Sequence, residues 1–170
     1  MNSKRDNQIR LHDFNPGRDR FLAEVLSGLR KAQKELPSKY FYDEQGSHLF
    51  ERICTLDEYY IPRIEAAIME TYIEEMVELL GPRVLLIEYG SGNCTKTRIL
   101  LDHLHQSAAY VPIDISRTQL LWVTKQLASD YPGLEVLPVC ADYTSGFDPP
   151  VPRRPSDRTV VFFRLNNWQL

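Results

Sequence analysis

The stretch VLLIEYGSGN, residues 84–93, decides the fold class of this chain. It opens with four apolar residues, a run typical of a parallel strand buried on both faces of a sheet. Gly90 and Gly92 follow, and without a Cβ they allow a tight turn and a close approach of the backbone to a ligand. A helical pattern comes next, and N–H groups at the start of a helix can receive an anionic or polar group. The stretch therefore predicts a strand, a glycine turn and a ligand-binding helix start.

The rest of residues 83–163 alternates short apolar runs with helical patterns. We expect three more strands, at AYVPID, EVLPVCADY and RTVVFF, separated by two helices and a proline-rich loop. The order β-α-β-α-β-loop-β predicts an α/β fold with a mostly parallel, right-handed, doubly wound sheet. Ser116 and Gln119 fit a capping box at the start of the second helix.

Residues 1–80 have a different pattern, rich in helices and loops. Apolar residues repeat at helical spacing over residues 21–29, and an aromatic loop follows Pro37. A longer helix then carries Ile64, Ile68 and Met76 on one face and ends at a Gly-Pro pair. We therefore divide the chain into an N-terminal helical, aromatic-rich region, 1–80, and a nucleotide-binding type of domain, 81–170.

The charge and composition of the chain limit the kinds of partner that we expect it to bind. The net charge is −3 and no basic stripe is present, so we expect no nucleic-acid partner. No apolar run approaches the length of a membrane span, so we expect no membrane association. Three widely spaced cysteines favour reduced thiols in a cytoplasmic protein. His103 and His105 point in different directions on a helix, and we expect no metal site.

Two acidic residues follow successive predicted strands. Asp114 comes 22 positions after Gly92, close to the spacing of about 20 for an acid that binds ribose hydroxyls. Asp142 and Tyr143 follow the third strand. The structural alternative is that Asp114 caps a helix and Asp142 begins a turn.

The residues around the glycine turn do not match the fingerprint of dinucleotide-binding proteins. Thr95 stands where a dinucleotide fingerprint has its third glycine, and Glu88 precedes the glycine pair. Acid-x-Gly-x-Gly resembles the first motif of class I S-adenosylmethionine-dependent methyltransferases. That resemblance implies that Asp142 reaches the adenine amino group and that Tyr143 packs on the adenine ring.

Four stretches together resemble one family. They are LPSKYFYDEQGSHLFERICTLDEYYIPRIE (36–65), GSGNCTKTRILLD (90–102), YVPIDIS (110–116) and ADYT (141–144). In combination they are similar to the histidine-specific methyltransferases, whose best-known members convert histidine to hercynine in ergothioneine synthesis. The similarity runs from about residue 36 to residue 163. It implies S-adenosylmethionine as cofactor, histidine as substrate and repeated methyl transfer to the α-amino nitrogen.

The family resemblance also implies roles for particular residues. Tyr42, Phe50 and Tyr59 would lie in the substrate pocket, with Tyr42 and Tyr59 as catalytic residues that orient the amine. For the cofactor, the resemblance assigns Gly90 and Gly92 to the methionyl part, Lys96 to its carboxylate, Asp114 to the ribose, and Asp142 with Tyr143 to the adenine.

The residues themselves leave some of these roles open. Clustered aromatics usually pack a core, although tyrosines near a glycine turn can also wall a pocket. Lys96 stands in the first turn of a helix, where a cation is unfavourable unless an anion lies nearby. Tyr89 replaces the small or aliphatic residue usual before Gly90, so we expect it to crowd the turn.

The last seven residues, Arg164 to Leu170, depart from the family pattern. The family follows its fourth strand with a Pro-Gly-Ser-Thr-Ile-Gly-Asn-like segment, whereas this chain has RLNNWQL. Codons for RLNNWQL exist that encode the family segment when they are read one nucleotide out of frame. We therefore hypothesise a frameshifted or mis-spliced product that is C-terminally truncated.

A truncated product has structural consequences. The class I order would leave strands 3-2-1-4, with the fourth as an exposed edge. We expect weak or no turnover and poor solubility. Two alternatives are methylation of another amino acid, such as a prenylated tryptophan, and a non-catalytic fragment that binds the cofactor or a full-length homologue.

Overall fold

The computed structural model describes residues 9–14, 17–104, 106–107 and 109–163. In these residues six strands form one sheet: β1 His12–Asp13, β2 Val84–Tyr89, β3 Ala109–Asp114, β4 Glu135–Val136, β5 Val139–Cys140 and β6 Arg158–Phe163. Every strand pair is parallel. The order is β1-β5-β3-β2-β6, and β4 also pairs with β3.

Five α-helices accompany the sheet in the described part of the chain: α1 Arg18–Arg30, α2 Glu44–Ile53, α3 Ile61–Leu80, α4 Thr95–Leu101 and α5 Arg117–Asp130. A short 3-10 turn covers Ser38–Phe41. Helices α4 and α5 connect successive parallel strands, as a βαβ arrangement requires. The α/β class is therefore confirmed, and so is the predicted 3-2-1-4 order of the four strands.

Three local expectations were incomplete. The N-terminal region contributes a strand, because β1 pairs with β5 at the sheet edge. The predicted third strand is divided into β4 and β5: Leu137 still donates its N–H to the Tyr110 carbonyl of β3, but Pro138 has no N–H to donate. The aromatic loop contains α2, which begins where the Asp43 carboxylate accepts a hydrogen bond from the Gly46 N–H.

Two apolar clusters lie on the two faces of the sheet. One cluster joins strand residues such as Leu86 and Tyr110 to side chains of α3, α4 and α5. The other is built on Leu85, Ile87 and Val111, and among the described residues Phe147 of the long loop before β6 packs against it. In the described part of the chain, the helices that pack on the sheet therefore cover mainly one face.

The face of α3 that carries Ile64 and Ile68 is not the buried one. Ile64 and Ile68 are about half exposed, whereas Ile73 is buried, with Met69 and Val77 packed beside it. All these positions are apolar, so helical periodicity alone does not choose between the two faces. The contact with the sheet makes that choice.

The fourth predicted strand, β6, pairs with β2 along its whole length. Within the described residues β6 has no partner on its other side. The frameshift hypothesis concerns residues 164–170, which lie outside the described residues. No helix in the described ranges is long and apolar enough to cross a membrane.

Candidate functional site

The glycine turn after β2 adopts the backbone that its sequence predicts. Gly90 has φ 69° and Gly92 has φ 52°, both in the left-handed region that favours glycine. The N–H groups of Gly90 and Ser91 donate to the Ile113 carbonyl of the neighbouring strand. These bonds fix the turn against the end of β3.

Asp114, at the end of β3, is bound to the same turn. Its Oδ2 accepts the Gly92 N–H at 2.9 Å, and its Oδ1 accepts the Ser116 N–H at 2.9 Å. The capping-box prediction is wrong, because Ser116 precedes α5 without a side-chain cap bond and Gln119 donates to Glu51 of α2 instead. Asp114 thus connects two loops at the carboxyl edge of the sheet.

Asp142 lies just after β5, with its side chain 3% exposed. Its Oδ2 accepts a hydrogen bond from Lys39 Nζ at 2.7 Å. Its Oδ1 accepts from the Thr144 N–H and hydroxyl. Burial raises the pKa of Asp142, but the hydrogen bonds from Lys39 and Thr144 outweigh it, and the net pKa is below the usual value.

Lys39 is a site residue that sequence reasoning missed. It belongs to the quoted stretch LPSKYFYD, but only the aromatics of that stretch were given roles. Its ammonium also pairs with Glu24 of α1 at 2.6 Å. A lysine next to an aromatic run gives no sequence signal that its partner lies 103 positions away.

Tyr143 follows Asp142 and is exposed. Its ring makes an edge-on contact with Tyr89, with centroids 5.8 Å apart. Tyr89 also lies near Phe147 of the long loop. Tyr89 therefore contacts aromatics on the second face of the sheet, and its effect on the glycine turn stays a prediction.

The three predicted substrate residues are linked by two ring contacts through Phe50. Tyr42 meets Phe50 edge to face at 5.9 Å, and Phe50 meets Tyr59 in the same way at 6.0 Å. Edge-to-face geometry is the favoured arrangement for aromatic pairs. The aromatic chain Tyr42–Phe50–Tyr59 therefore forms one continuous wall built from α2 and the segments on either side of it.

Gly46 and Arg63, which lie in the same stretch (36–65) as the predicted substrate residues, have structural roles. A Cβ at Gly46 would lie 1.6 Å from the Phe41 carbonyl oxygen, so no other residue fits there without a backbone shift. Arg63 donates to the carbonyls of Leu56 and Asp57, which closes the loop before α3. Some residues of these sequence motifs are therefore required for folding rather than for ligand binding.

Lys96, in the first turn of α4, has the anionic partner that its position calls for. Its Nζ lies 2.8 Å from Glu65 Oε1 on α3, and the two side chains are 19% and 32% exposed. Solvent screens a partly buried salt bridge only in part. The pair therefore places one positive and one negative group beside the glycine turn. Glu65 was not predicted as a site residue.

Behind the turn lies a buried polar cluster centred on Glu88. Its Oε2 accepts hydrogen bonds from the Thr97 hydroxyl and the Tyr110 hydroxyl. Cys94 Sγ is 3.2 Å from the Tyr110 hydroxyl, and burial raises the pKa of the Cys94 thiol to about 12. Cys94, like the other two cysteines, is a free thiol.

Ser91 Oγ is a buried polar atom without a hydrogen-bond partner in the described residues. Such atoms are uncommon in native interiors and are satisfied when a ligand or water supplies the missing partner. Ser91 lines the same cavity as Lys96 and Glu65. The unsatisfied hydroxyl therefore indicates a place where a polar ligand group fits.

Two cavities open at the carboxyl ends of the strands, where α/β sheets bind ligands. The first, of about 270 Å³, is lined by Tyr42, Gly90, Asp114, Asp142 and Tyr143. The second, of about 300 Å³, is lined by Phe50, Tyr59, Glu65, Ser91 and Lys96. A smaller cavity, lined by Tyr42, Phe50, Gly90 and Gly92 among others, shares residues with both and lies between them. All nine predicted site residues thus line these three cavities, which share lining residues.

A larger cavity, of about 560 Å³, lies near the opposite ends of the strands, beside Arg83 and Leu134. It contains none of the predicted site residues and none of the glycine-turn N–H groups. We therefore place the candidate site at the carboxyl edge. In the described ranges no group of three or more potential ligands could hold a metal ion.

A parallel sheet, a glycine turn after a central strand and acids at the ends of the next two strands define a nucleotide-cofactor-binding α/β protein. The chain belongs to the family described as "Histidine-specific methyltransferase, SAM-dependent", whose profile matches residues 21–165. The cofactor of that family is S-adenosylmethionine (SAM).

Named relatives support the same family. Histidine N-alpha-methyltransferase of Mycolicibacterium smegmatis is 39% identical over 71% of this chain and 38% of its own length. Ergothioneine biosynthesis protein 1 of Neurospora crassa is 35% identical over 56% of this chain and 11% of its own length. The 4-dimethylallyltryptophan N-methyltransferase of Claviceps fusiformis is 28% identical over 57% of this chain and 28% of its own length. The chain thus spans well under half the length of each of these relatives.

Proposed function

We propose that this chain carries the cofactor site and part of the substrate wall of a SAM-dependent N-methyltransferase that acts on the α-amino group of histidine. One observation carries the proposal: the aromatic chain Tyr42–Phe50–Tyr59 lines the same group of neighbouring cavities as the glycine turn and Lys96. Histidine methylation is the activity named in the mycobacterial relative at 39% identity.

The residues at the carboxyl edge fit the cofactor. Asp114 would accept hydrogen bonds from the ribose hydroxyls, and Asp142 would accept one from the adenine amino group. Tyr143 would pack on the adenine ring. SAM, when bound, supplies an electrophilic methyl group on a sulfonium. The unsatisfied Ser91 hydroxyl and the glycine turn, with no Cβ at Gly90 or Gly92, provide the polar contact and the space for its methionyl part.

The Lys96–Glu65 pair matches the amino-acid end of the cofactor. That end carries a carboxylate and an ammonium group, so it needs one cationic and one anionic partner. Lys96 would bind the carboxylate, and Glu65 would bind the ammonium beside it. The 2.8 Å contact between the two side chains keeps both partners within reach of one zwitterion.

On the substrate side, the chain's residues would hold and orient the amine. The α-amino nitrogen must be neutral to attack, so a group that accepts its proton or orients its lone pair contributes to the rate. The Tyr42 and Tyr59 hydroxyls would orient the amine, and Phe50 between them would exclude water. Fixing the amine near the methyl group supplies most of the gain, because it removes the entropy of the encounter.

The division of labour between the two regions follows from this assignment. Residues 1–80 would supply the substrate wall and, through Glu65, one contact to the cofactor, while residues 81–170 would supply the rest of the cofactor site. Transfer of three methyl groups to give hercynine belongs to the same proposal. Three free thiols suit a reducing compartment, which supports a cytoplasmic location.

Two measurements on the purified chain test the proposal. Calorimetric titration with S-adenosylhomocysteine is expected to show saturable binding, weakened by Asp114→Asn and unchanged by Asp148→Asn, a matched change on the exposed loop. Long incubation with methyl-labelled SAM is expected to give at most slow labelling, of histidine rather than 4-dimethylallyltryptophan, with mass spectrometry counting the methyl groups. Absence of binding would reject the cofactor site, and exclusive labelling of the tryptophan derivative would reject histidine.

A further inference from the structure

Lys39 stands where three segments of the chain meet. It belongs to the 3-10 turn at 38–41, its Nζ lies 2.7 Å from Asp142 Oδ2 after β5, and it lies 2.6 Å from Glu24 Oε2 of α1. Its side chain is only 19% exposed. The contact is therefore a partly buried ionic connection between α1, the aromatic segment and the cofactor edge.

Lys39 is the main counter-charge of Asp142. A carboxylate that is 3% exposed needs a partner to offset its lost hydration. Among the described residues Arg20 is the other cation that pairs with Asp142, but it is 3.8 Å away and 45% exposed. Its Nη1 also donates to the Ser145 hydroxyl. Lys39 is closer and better shielded, so its contribution is the larger one.

The hydrogen bonds to Asp142 also define its orientation. Oδ1 accepts two bonds from Thr144, which is the capacity of one carboxylate oxygen. Oδ2 accepts from Lys39 and can accept a second donor. Lys39 and Asp142 line the same cavity, so a ligand amino group in that cavity meets Oδ2 beside the ammonium.

The same contact holds the aromatic segment in place. Lys39 precedes Tyr42 by three positions, and the turn between them contains a bond from the Tyr40 N–H to the Pro37 carbonyl. The Tyr40 hydroxyl donates to Glu24, the second partner of Lys39. Residues 37–42 are therefore fastened on one side to α1 and on the other to Asp142.

We propose that Lys39 is a positioning residue: it fixes Asp142 Oδ2 for the adenine amino group and holds the Tyr42 segment against the cofactor cavity. This inference rests on the proposed cofactor site. It adds a direct link between the adenine end of that site and the substrate wall.

The variants are Lys39→Met, which removes the charge, Lys39→Arg, which keeps it, and Asp142→Asn, which removes the partner. Lys31→Met is the matched control, because Lys31 pairs with Glu35 in the exposed segment just after α1 and lines neither site cavity. Thermal unfolding first establishes that each variant is folded.

Binding is the first readout. Lys39→Met is expected to weaken S-adenosylhomocysteine and 5′-methylthioadenosine by the same factor, about tenfold or more, because both ligands carry the adenine. Lys39→Arg is expected to recover most of the affinity, which loss of packing alone would not predict. Equal affinity of Lys39→Met and the unmodified chain would overturn the inference while leaving the cofactor site intact.

Amide hydrogen exchange is the second readout and needs no ligand. Faster exchange of the Tyr40 amide is expected in Lys39→Met and in Asp142→Asn, with no change in α4. Unchanged exchange in both variants would overturn the inference even if the unmodified chain bound no adenosine ligand. Failure of the unmodified chain to bind either ligand would instead overturn the cofactor site and, with it, the role assigned to Asp142.

Discussion

Gly46, in the aromatic motif, is required by the fold for two reasons. Its N–H caps α2 through Asp43, and its missing Cβ makes room for the Phe41 carbonyl. We expect Gly46→Ala to lower the free energy of unfolding by about 1–3 kcal/mol, since the backbone must shift to accept the methyl group.

Urea unfolding measures this effect. Gly133→Ala is the matched control, because a Cβ there meets nothing within 4 Å. Similar losses in the two variants would show that the Phe41 contact is unimportant.

Glu24 gives the chain a defined response to acid. Hydrogen bonds from Lys39, Tyr40 and Arg20 lower its pKa from 4.5 to about 2. Since the folded pKa lies below the unfolded one, the stabilisation is present above about pH 4.5 and is lost as the pH falls toward 2. Glu24→Gln is therefore expected to lose less stability than the unmodified chain over that range.

Urea midpoints at successive pH values provide the measurement. Lys39→Met removes the hydrogen bond from Lys39 to Glu24. The double variant Glu24→Gln, Lys39→Met should therefore lose less stability than the sum of the losses in the two single variants. Simple additivity would indicate that Lys39 does not act on Glu24.

At the scale of elements, α3 carries an exposed apolar stripe. Ile64, Ile68 and Tyr72 follow each other at intervals of four and are each about half exposed. Contiguous exposed apolar side chains promote association, and β6 adds a strand edge that is unpaired within the described residues. We expect the chain to self-associate through this stripe.

The double variant Ile64→Gln, Ile68→Gln is expected to lower light scattering at high concentration while keeping the unfolding midpoint. Leu49→Gln, at an exposed position of α2 outside the stripe, is the control and should leave scattering unchanged. Equal scattering by the unmodified chain, the double variant and Leu49→Gln would show that the chain does not associate through the α3 stripe.

At the scale of the whole molecule, the candidate site depends on contacts between distant segments. Lys96 of α4 reaches Glu65 of α3, and this pair is assigned to the amino-acid end of the cofactor. Lys96→Met is expected to weaken S-adenosylhomocysteine by about tenfold or more, since a charge-assisted hydrogen bond is lost. Binding of 5′-methylthioadenosine, which lacks that end, should not change.

Calorimetry with both ligands distinguishes the two ends of the site. Lys125→Met, at an exposed position of α5, is the control. Equal weakening of both ligands by Lys96→Met would contradict its assignment to the amino-acid end.

Local sequence was sufficient for the central part of the fold. The apolar run of β2, the two glycines and Asp114 predicted a strand, a turn and an acid at neighbouring strand ends, because each signal depends on a few adjacent residues. The cofactor class was predicted from the same stretch, together with the quoted family motifs.

Only the tertiary structure decided how distant segments pair. It placed β1 at the sheet edge, chose which apolar face of α3 is buried, and brought Lys39 to Asp142 across 103 positions. No local pattern encodes these contacts, because the sequence fixes which side chains are charged or apolar but not which of them meet. Packing against the sheet determines the partners, and here those partners include the ion pairs on which the proposed site depends.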